Sequence, residues 1–342
     1  MDTCELVMKL ANLRGVSGRE QRVAQEVCTL LQPYASDAVC RDGSVLAHIG
    51  GQKNPEKTTL LLCAHLDQVG FFVTDITEDG FLRIGNVGGI DRRLLLGQSV
   101  MIQGTEPMFG VISILPPHLL QGEQAVPDMD KLCVDTGFSS ADALKGKVRR
   151  GDAVYFGTTC KPLLNGLVTG SALDDRCGVA ALILAAEQLA KEQNLPCNVA
   201  ILCSAQEERS GRGAKTLAVL EQPDYAIAVD VTFASSENDD GAECYQLGGG
   251  AAIGISSVLD AEFSDALISV AEKEKIPYQL EIMPEQTGTD ADSMAVAPNG
   301  GAKAATVSIP QRNMHTPVEM ISLRDVEQTA ALLVAYAKEC GR

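Results

Sequence analysis

A chain of 342 residues with 45 % hydrophobic and 21 % charged residues has the composition of an ordinary soluble globular protein, long enough for two domains or for one large domain carrying an insertion. A net charge of −17 at pH 7 repels phosphates and argues against nucleic acid or an anionic membrane as partner. No apolar run approaches the roughly 18 residues of a membrane span, and the absence of Trp argues against stacking platforms for sugars or bases.

The opening stretch MDTCELVMKLANLRG has an early Asp and Glu and no apolar core, so it does not read as a signal peptide. In SGREQRVAQEVCTLLQPYA, Ser17 stands three residues before Glu20, which predicts a capping box opening a helix. KTTLLLCAH (57–65) reads as a buried strand. From about 70 to 157 the texture turns to short β-like runs, GFFVTDI, FLRIGNV, QSVMIQG and FGVISIL, with a hairpin signal at EDG (78–80). Beyond 165, helix and buried strand alternate. DDRCGVAALILAAEQLAKEQ, GRGAKTLAVLEQ, DAEFSDALISVAEKEKI and LRDVEQTAALLVAYAKECG read as helices, and NVAILCSAQ, YAIAVD and GAKAATVSIP as strands. The expected fold is a mixed α/β sheet with flanking crossover helices, interrupted by a small all-β domain. Residues 1–68 and 158–342 form the main domain of this division and 69–157 the insertion. Eleven cysteines, an odd number with no Cys-x-x-Cys pair, point to a reducing, cytoplasmic setting; Cys63 and Cys203 sit in apolar runs as small hydrophobes.

The strand ends carry the chemistry. After TTLLLCA come His65 and Asp67; after NVAILCSAQ come Glu207 and Glu208. Asp230 ends YAIAV, His315 follows GAKAATVSIPQRNM, and Asp174 and Asp175 open a long helix. Ligands of open α/β sheets bind beyond the carboxyl ends of the strands, so these residues face one rim and make an inventory for a metal site. Charge favours two ions. If Asp174 bridges them, His65 and Asp230 complete one site, and Glu208 and His315 the other, three carboxylates and a shared hydroxide offset four positive charges. Zinc, cobalt or manganese accept this N/O set, and such a pair, about 3.5–4 Å apart, lowers the pKa of a shared water towards about 7. Glu207 is left over as general base, and Asp67 is placed to hydrogen-bond a ligand imidazole and fix its tautomer. Taken singly, each feature has a plainer reading: a satisfied histidine, a solvated Glu-Glu pair, an Asp cap at a helix start. Their coincidence at sheet-rim positions favours the metal site. His48 and His118 lie away from these rims and read as structural. GRGAKT (211–216) fails as a phosphate loop because Ala214 precedes Lys215. LGGGAAIG (247–254) is out of register for a dinucleotide motif and reads as backbone near the active-site cleft.

AHLDQVG, GGIDRRLLLGQSV, SALDDRCGVAAL, AQEERSGRGAKT, QTGTDADS and IPQRNMHTPVEMISLRDVE, in this order over nearly the whole chain, resemble the tetrahedral (glutamyl or deblocking) aminopeptidases, a family of co-catalytic binuclear metallopeptidases. The resemblance implies an α/β catalytic domain interrupted by a β-barrel dimerisation domain. It also implies two divalent ions per subunit and dimers assembled into a hollow tetrahedral dodecamer. Carried over by position, it assigns His65 and Asp230 to one metal, Glu208 and His315 to the other, Asp174 to the bridge and Glu207 to the base. Gln68 departs from the family pattern, as do Arg209, Ser210 and the acidic stretch VTFASSENDDGAECYQ, which bear on substrate preference. The expected activity is release of N-terminal amino acids from peptides. The rivals are a deacylase or carboxypeptidase with the same centre, needing Arg176 or Arg312 as a carboxylate clamp, and a non-catalytic, metal-bound assembly protein. A glycosidase leaves both histidines unexplained.

Overall fold

The continuous apolar run after Lys57 forms the strand Thr59–His65, buried along its whole length, as expected for a strand covered on both faces. A computed structural model describes residues 2–35, 37–50, 53–119, 126–237, 239, 243–298 and 300–341. The strand lies between Asn198–Ser204 and Tyr225–Phe233, and the latter pairs in turn with Lys303–Arg312. All three pairings are parallel, so four carboxyl ends emerge on one rim. The registers align the chemistry: Ser204 lies opposite His65 and Ser308 opposite Asp230. Asp230 is not at a strand end, as the sequence suggests, because the strand continues to Phe233. It clears its neighbour instead, since pairing with the His65 strand stops at Ala228 and Cys63.

Among the described residues the sheet has eleven strands and is mixed, as expected. Further strands not expected from the sequence extend it, all paired antiparallel except for the parallel pair Ala251–Ser256 and Tyr278–Met283. Ser44–Ile49 flanks Asn198–Ser204, Glu319–Ser322 and Leu167–Gly170 lie on the far side, and Ala251–Ser256 branches off with Tyr278–Met283. Several are short or half-exposed and carry no clean period. Leu173–Leu189 is the central helix, buried through most of its length and packed on Thr3–Ala11 and Leu323–Ala337. Its first turn is not helical: Asp174 has ψ 111°, Asp175 has φ −110°, and the peptide bond between them is cis.

The expected capping box does not form. Helix Gln21–Leu31 has no side-chain cap, and the Ser17 hydroxyl has no hydrogen-bond partner. Glu20 is turned inward instead, accepting from the N–H groups of Gly18 and Gln206. A carboxylate bound to two part-buried backbone donors outweighs a cap worth about 1 kcal/mol.

Six strands between Gly70 and Phe156 close into a barrel around Phe71, Ile84, Val100, Val134 and Phe156, a core separate from that of the large sheet. The hairpin expected at EDG is there. Gly80 adopts φ +83°, and a Cβ on it would stand 2.6 Å from the Phe138 carbonyl oxygen. None of the eleven cysteines is in a disulfide. No described helix is long and apolar enough to cross a membrane.

Arg176 is fully buried, donating to the carbonyls of Leu66, Leu10 and Leu13, and so ties the loop after His65 to the first helix. Arg176→Ala strands these three acceptors and leaves a cavity, so a loss of roughly 3–5 kcal/mol is expected in urea unfolding. A loss under about 1 kcal/mol would show that water replaces the guanidinium.

Candidate metal centre and cleft

The rim brings together all five residues singled out as ligands. His65 Nε2 lies 3.0 Å from Asp174 Oδ1 and 3.9 Å from Asp230 Oδ1. His315 Nε2 lies 3.3 Å from Asp174 Oδ2 and 3.4 Å from Glu208 Oε1. Two donor groups result, His65–Asp174–Asp230 and Asp174–Glu208–His315, sharing Asp174, one oxygen to each. Donors held tetrahedrally about 2.0–2.1 Å from a zinc-sized ion stand roughly 3.4 Å from one another. The donor set therefore fits a divalent ion in each group.

Asp67 behaves differently from expectation. Its carboxylate does not bond the imidazole: the closest approach to His65 Nδ1 is 3.7 Å, and that nitrogen faces the backbone oxygen of Asp67 at 3.1 Å. The carboxylate instead accepts from the N–H groups of Glu207 (2.9 Å) and Glu208 (3.2 Å). Two free backbone donors at the start of a turn are a stronger draw for a buried anion than one ring nitrogen already bonded. Asp67 is thus a positioning residue for both glutamates. Asp67→Asn keeps one acceptor oxygen and is expected to lower kcat/KM about 10–100-fold with the far-ultraviolet spectrum unchanged. Unaltered kinetics would show the clamp to be dispensable.

Three further buried carboxylates do similar work; Asp175 stood in the rim inventory without a role, and Glu319 and Glu20 were not read as site residues. Glu319 accepts from the N–H groups of Leu173 (2.7 Å) and Asp174 (3.2 Å) and so fixes the turn carrying Asp174. Asp175 accepts from the His65 and Gly178 N–H groups, and Glu20 from that of Gln206, next to Glu207. A carboxylate aimed at backbone leaves no spacing pattern. The one sequence hint was an acid at a position the fold buries.

Burial opposes charge throughout, and the neighbours decide the outcome. For His65 and His315, hydrogen bonds to Asp174, and to Glu208 for His315, outweigh burial; both imidazoles are held protonated, His315 with a pKa of about 11. The same imidazoles keep Asp174 well below the usual carboxylate range against its burial. Glu207 is pushed up to about 10 by burial, and Asp230, Asp290 and Glu208 add to the rise that His65 opposes. Among the described residues, and alone of the four carboxylates Asp174, Glu207, Glu208 and Asp230, Glu207 has side-chain oxygens without a hydrogen bond or ion pair, and it faces the cleft.

That cleft, about 980 Å³, runs from the cluster along Val231–Phe233 and 281–289. The barrel contributes its Val87–Gly89 end: Gly89 lines the cleft, and Gly88, at φ +83°, lies where a Cβ would stand 3.3 Å from Glu208 Oε2. Neither proposed clamp lines it. Arg176 is committed to carbonyls, and Arg312 donates to the Ser235 carbonyl oxygen. Among the described residues Arg209 is the only lysine or arginine on the lining. The glycines at 248 and 250 are also absent from it; their N–H groups bind Asp325 at the start of the last helix. Residues 238 and 240–242 of the acidic stretch lie outside the described residues. His48 is a structural histidine between Asp37 (2.7 Å) and Glu221 (2.9 Å), and His118 is exposed in the short segment Pro117–Leu119.

A sequence profile of the M42 glutamyl aminopeptidase family matches residues 43–332, a range holding every member of the cluster. The chain belongs to the M42 family. It is accordingly a hydrolase of the peptidase class, and its fold and barrel match those of tetrahedral family members. M42-type relatives cover it nearly end to end. A lysyl aminopeptidase of Pyrococcus furiosus is 33 % identical over 342 residues, 98 % of this chain and 96 % of the relative. An aminopeptidase structure from Desulfurococcus kamchatkensis superposes with a TM-score of 0.91 at 33 % identity, covering 99 % of this chain and 95 % of the other. The TET1 peptidase of Pyrococcus horikoshii, described as assembling into a tetrahedron or a large octahedral shell, gives 0.87 at 31 %, with coverage of 99 % and 100 %.

Proposed function

We propose that this chain releases N-terminal amino acids from peptides at the His65–His315 cluster. His65 and Asp230 would hold one divalent ion and Glu208 and His315 a second, with Asp174 common to both sets; the N/O donors suit zinc or cobalt, with manganese as the next choice. Bound there, the ions supply Lewis acidity and an activated water. Glu207 takes a proton from the attacking water on a side-chain oxygen and returns it to the leaving amine nitrogen. Asp67 holds the turn that aims Glu207, and Glu319 holds the one that aims Asp174. The observation that carries this reading is the split of Asp174 between two donor groups beside a glutamate whose side chain has no hydrogen bond or ion pair among the described residues.

The test is hydrolysis of aminoacyl anilides by protein loaded with each metal. Free-amine substrates are expected to be cleaved and N-acylated ones not. Cleavage of blocked substrates alone would make the protein a deacylase, a reading weakened by the commitments of Arg176 and Arg312.

The donor protonation states make a second expectation. Both imidazoles must be neutral to bind metal, yet they are held protonated by their carboxylate neighbours in the metal-free protein. Zinc uptake should release protons, and affinity should rise with pH across the neutral range. Calorimetry in buffers of different ionisation enthalpy reads this directly, and buffer-independent heats would contradict it.

The same proposal takes residues 1–68 and 158–342 as the catalytic domain and 69–157 as a barrel used for dimerisation. Assembly into a tetrahedral dodecamer is supported by the shells of the TET relatives. The free cysteines agree with a reducing, cytoplasmic setting. Neither phosphates nor a membrane enter this reading, in keeping with the charge.

A further inference from the structure

Beyond the metal cluster, the cleft lining holds three more carboxylates, and two of them are explained without a ligand. Asp292 receives the N–H groups of Thr287 and Gly288 and the Thr287 hydroxyl, which makes it the brace of its own loop. Glu285 is exposed to water. Glu281 is neither braced to backbone nor exposed. It is only 8 % accessible, yet it contributes to the cleft wall.

Its surroundings set its place relative to the reacting centre. Glu281 Oε2 accepts from the Ser308 hydroxyl at 2.6 Å, and the Thr232 side chain bonds the carboxylate as well. Ser308 is the parallel register partner of Asp230, and Thr232 lies two residues beyond Asp230 on the same strand. Both therefore project from the sheet face that carries Asp230. The Glu281 carboxylate is thereby anchored between the Asp230 strand, at Thr232, and the next strand away from His65, at Ser308. An α-ammonium next to a scissile bond would sit at the cluster, where Asp174, Asp230, Glu207 and Glu208 already gather. A carboxylate held at Thr232 and Ser308, displaced from Asp230 along its strand and towards the next one, is within reach of the far end of a long side chain. Met283, on the same face of the Glu281 strand, lines the cleft and offers surface to a methylene stem. Glu243 also acts on Glu281 and adds to the negative potential. Arg209 is exposed in the turn after Glu208, where water weakens its field.

We propose that Glu281 is the specificity residue of the cleft, pairing with the side-chain cation of an N-terminal lysine or arginine. The inference rests on the aminopeptidase reading and names its preferred substrate. Ser308 and Thr232 hold the carboxylate in place before the substrate arrives, so little ordering is needed on binding.

The experiment compares lysyl and norleucyl anilides, which differ by the terminal ammonium, on metal-loaded wild type and Glu281→Gln. The amide is isosteric and keeps an acceptor for Ser308. In the wild type kcat/KM is expected to favour lysyl by at least about tenfold, and the variant to bring the ratio near one by losing lysyl turnover only. Competitive inhibition by free L-lysine over L-norleucine should collapse in parallel. A wild type that prefers norleucyl, or a variant that slows both substrates equally, overturns the assignment while leaving the aminopeptidase reading in place. Failure to cleave any free-amine anilide defeats that reading instead. Calorimetric binding of L-lysine against L-norleucine then still decides on Glu281: tighter lysine binding that is lost in Glu281→Gln supports it, and equal binding rejects it.

Discussion

Glu207→Gln is expected to lower kcat by a factor on the order of 10² to 10⁴ while metal content, fold and assembly stay unchanged. The amide has the same shape, Glu207 is not needed to complete either donor group, and its backbone N–H stays on Asp67. What is lost is the proton acceptor facing the cleft. In the metal-free protein, burial and the surrounding carboxylates push the Glu207 pKa up to about 10. Positive charge between the ligands stabilises the ionised form and lowers that value, so base function and metal occupancy are linked. Metal occupancy is read by elemental analysis and rate by anilide hydrolysis on the same sample. Full activity in the variant would remove Glu207 from the mechanism. Equal inactivity of wild type and variant, with metal bound, would favour the non-catalytic assembly protein.

Asp174→Ala should be more damaging than loss of any other ligand. Its two oxygens serve both groups, 3.0 Å from His65 and 3.3 Å from His315, whereas Asp230 and Glu208 each serve one. Without it neither group retains three donors, and two imidazoles lose the anion that orients them. Metal binding should fall in both groups. Metal charge stabilises the transition state by several kcal/mol, so activity should fall by a factor on the order of 10³ or more. Asp230→Ala and Glu208→Ala should each leave one group intact, so the three variants separate shared from single ligation. Retention of two metal equivalents by Asp174→Ala would dismantle the shared-ligand proposal.

Much of this architecture could be read along the chain, for a physical reason. Parallel strands buried on both faces are continuous apolar runs, and a polar residue is tolerated only where the run meets the rim. His65, Glu207, Glu208, Asp230 and His315 stood out as polar residues following apolar runs. The barrel was legible as a change from helical to strand periodicity between 70 and 157, and its hairpin at Gly80 as turn chemistry. Less could be read wherever a side chain acts on backbone. Asp67 as the clamp of Glu207 and Glu208, Glu319 beneath Asp174, Arg176 on three carbonyls and Glu20 turned away from its cap position all depend on peptide groups far away in sequence.

What the amino-acid order determined by itself is therefore the class of fold, the composition of the donor set and the family resemblance. Hydrophobic period and residue chemistry are local properties. The tertiary structure alone decided which oxygen of Asp174 faces which histidine, which carboxylates orient backbone, and that the Glu281 carboxylate meets Thr232 and Ser308 beside Asp230. Those are distances between segments 27 residues apart for Glu281 and Ser308 and 146 for Glu319 and Leu173, set by strand register and burial, and no local pattern encodes them.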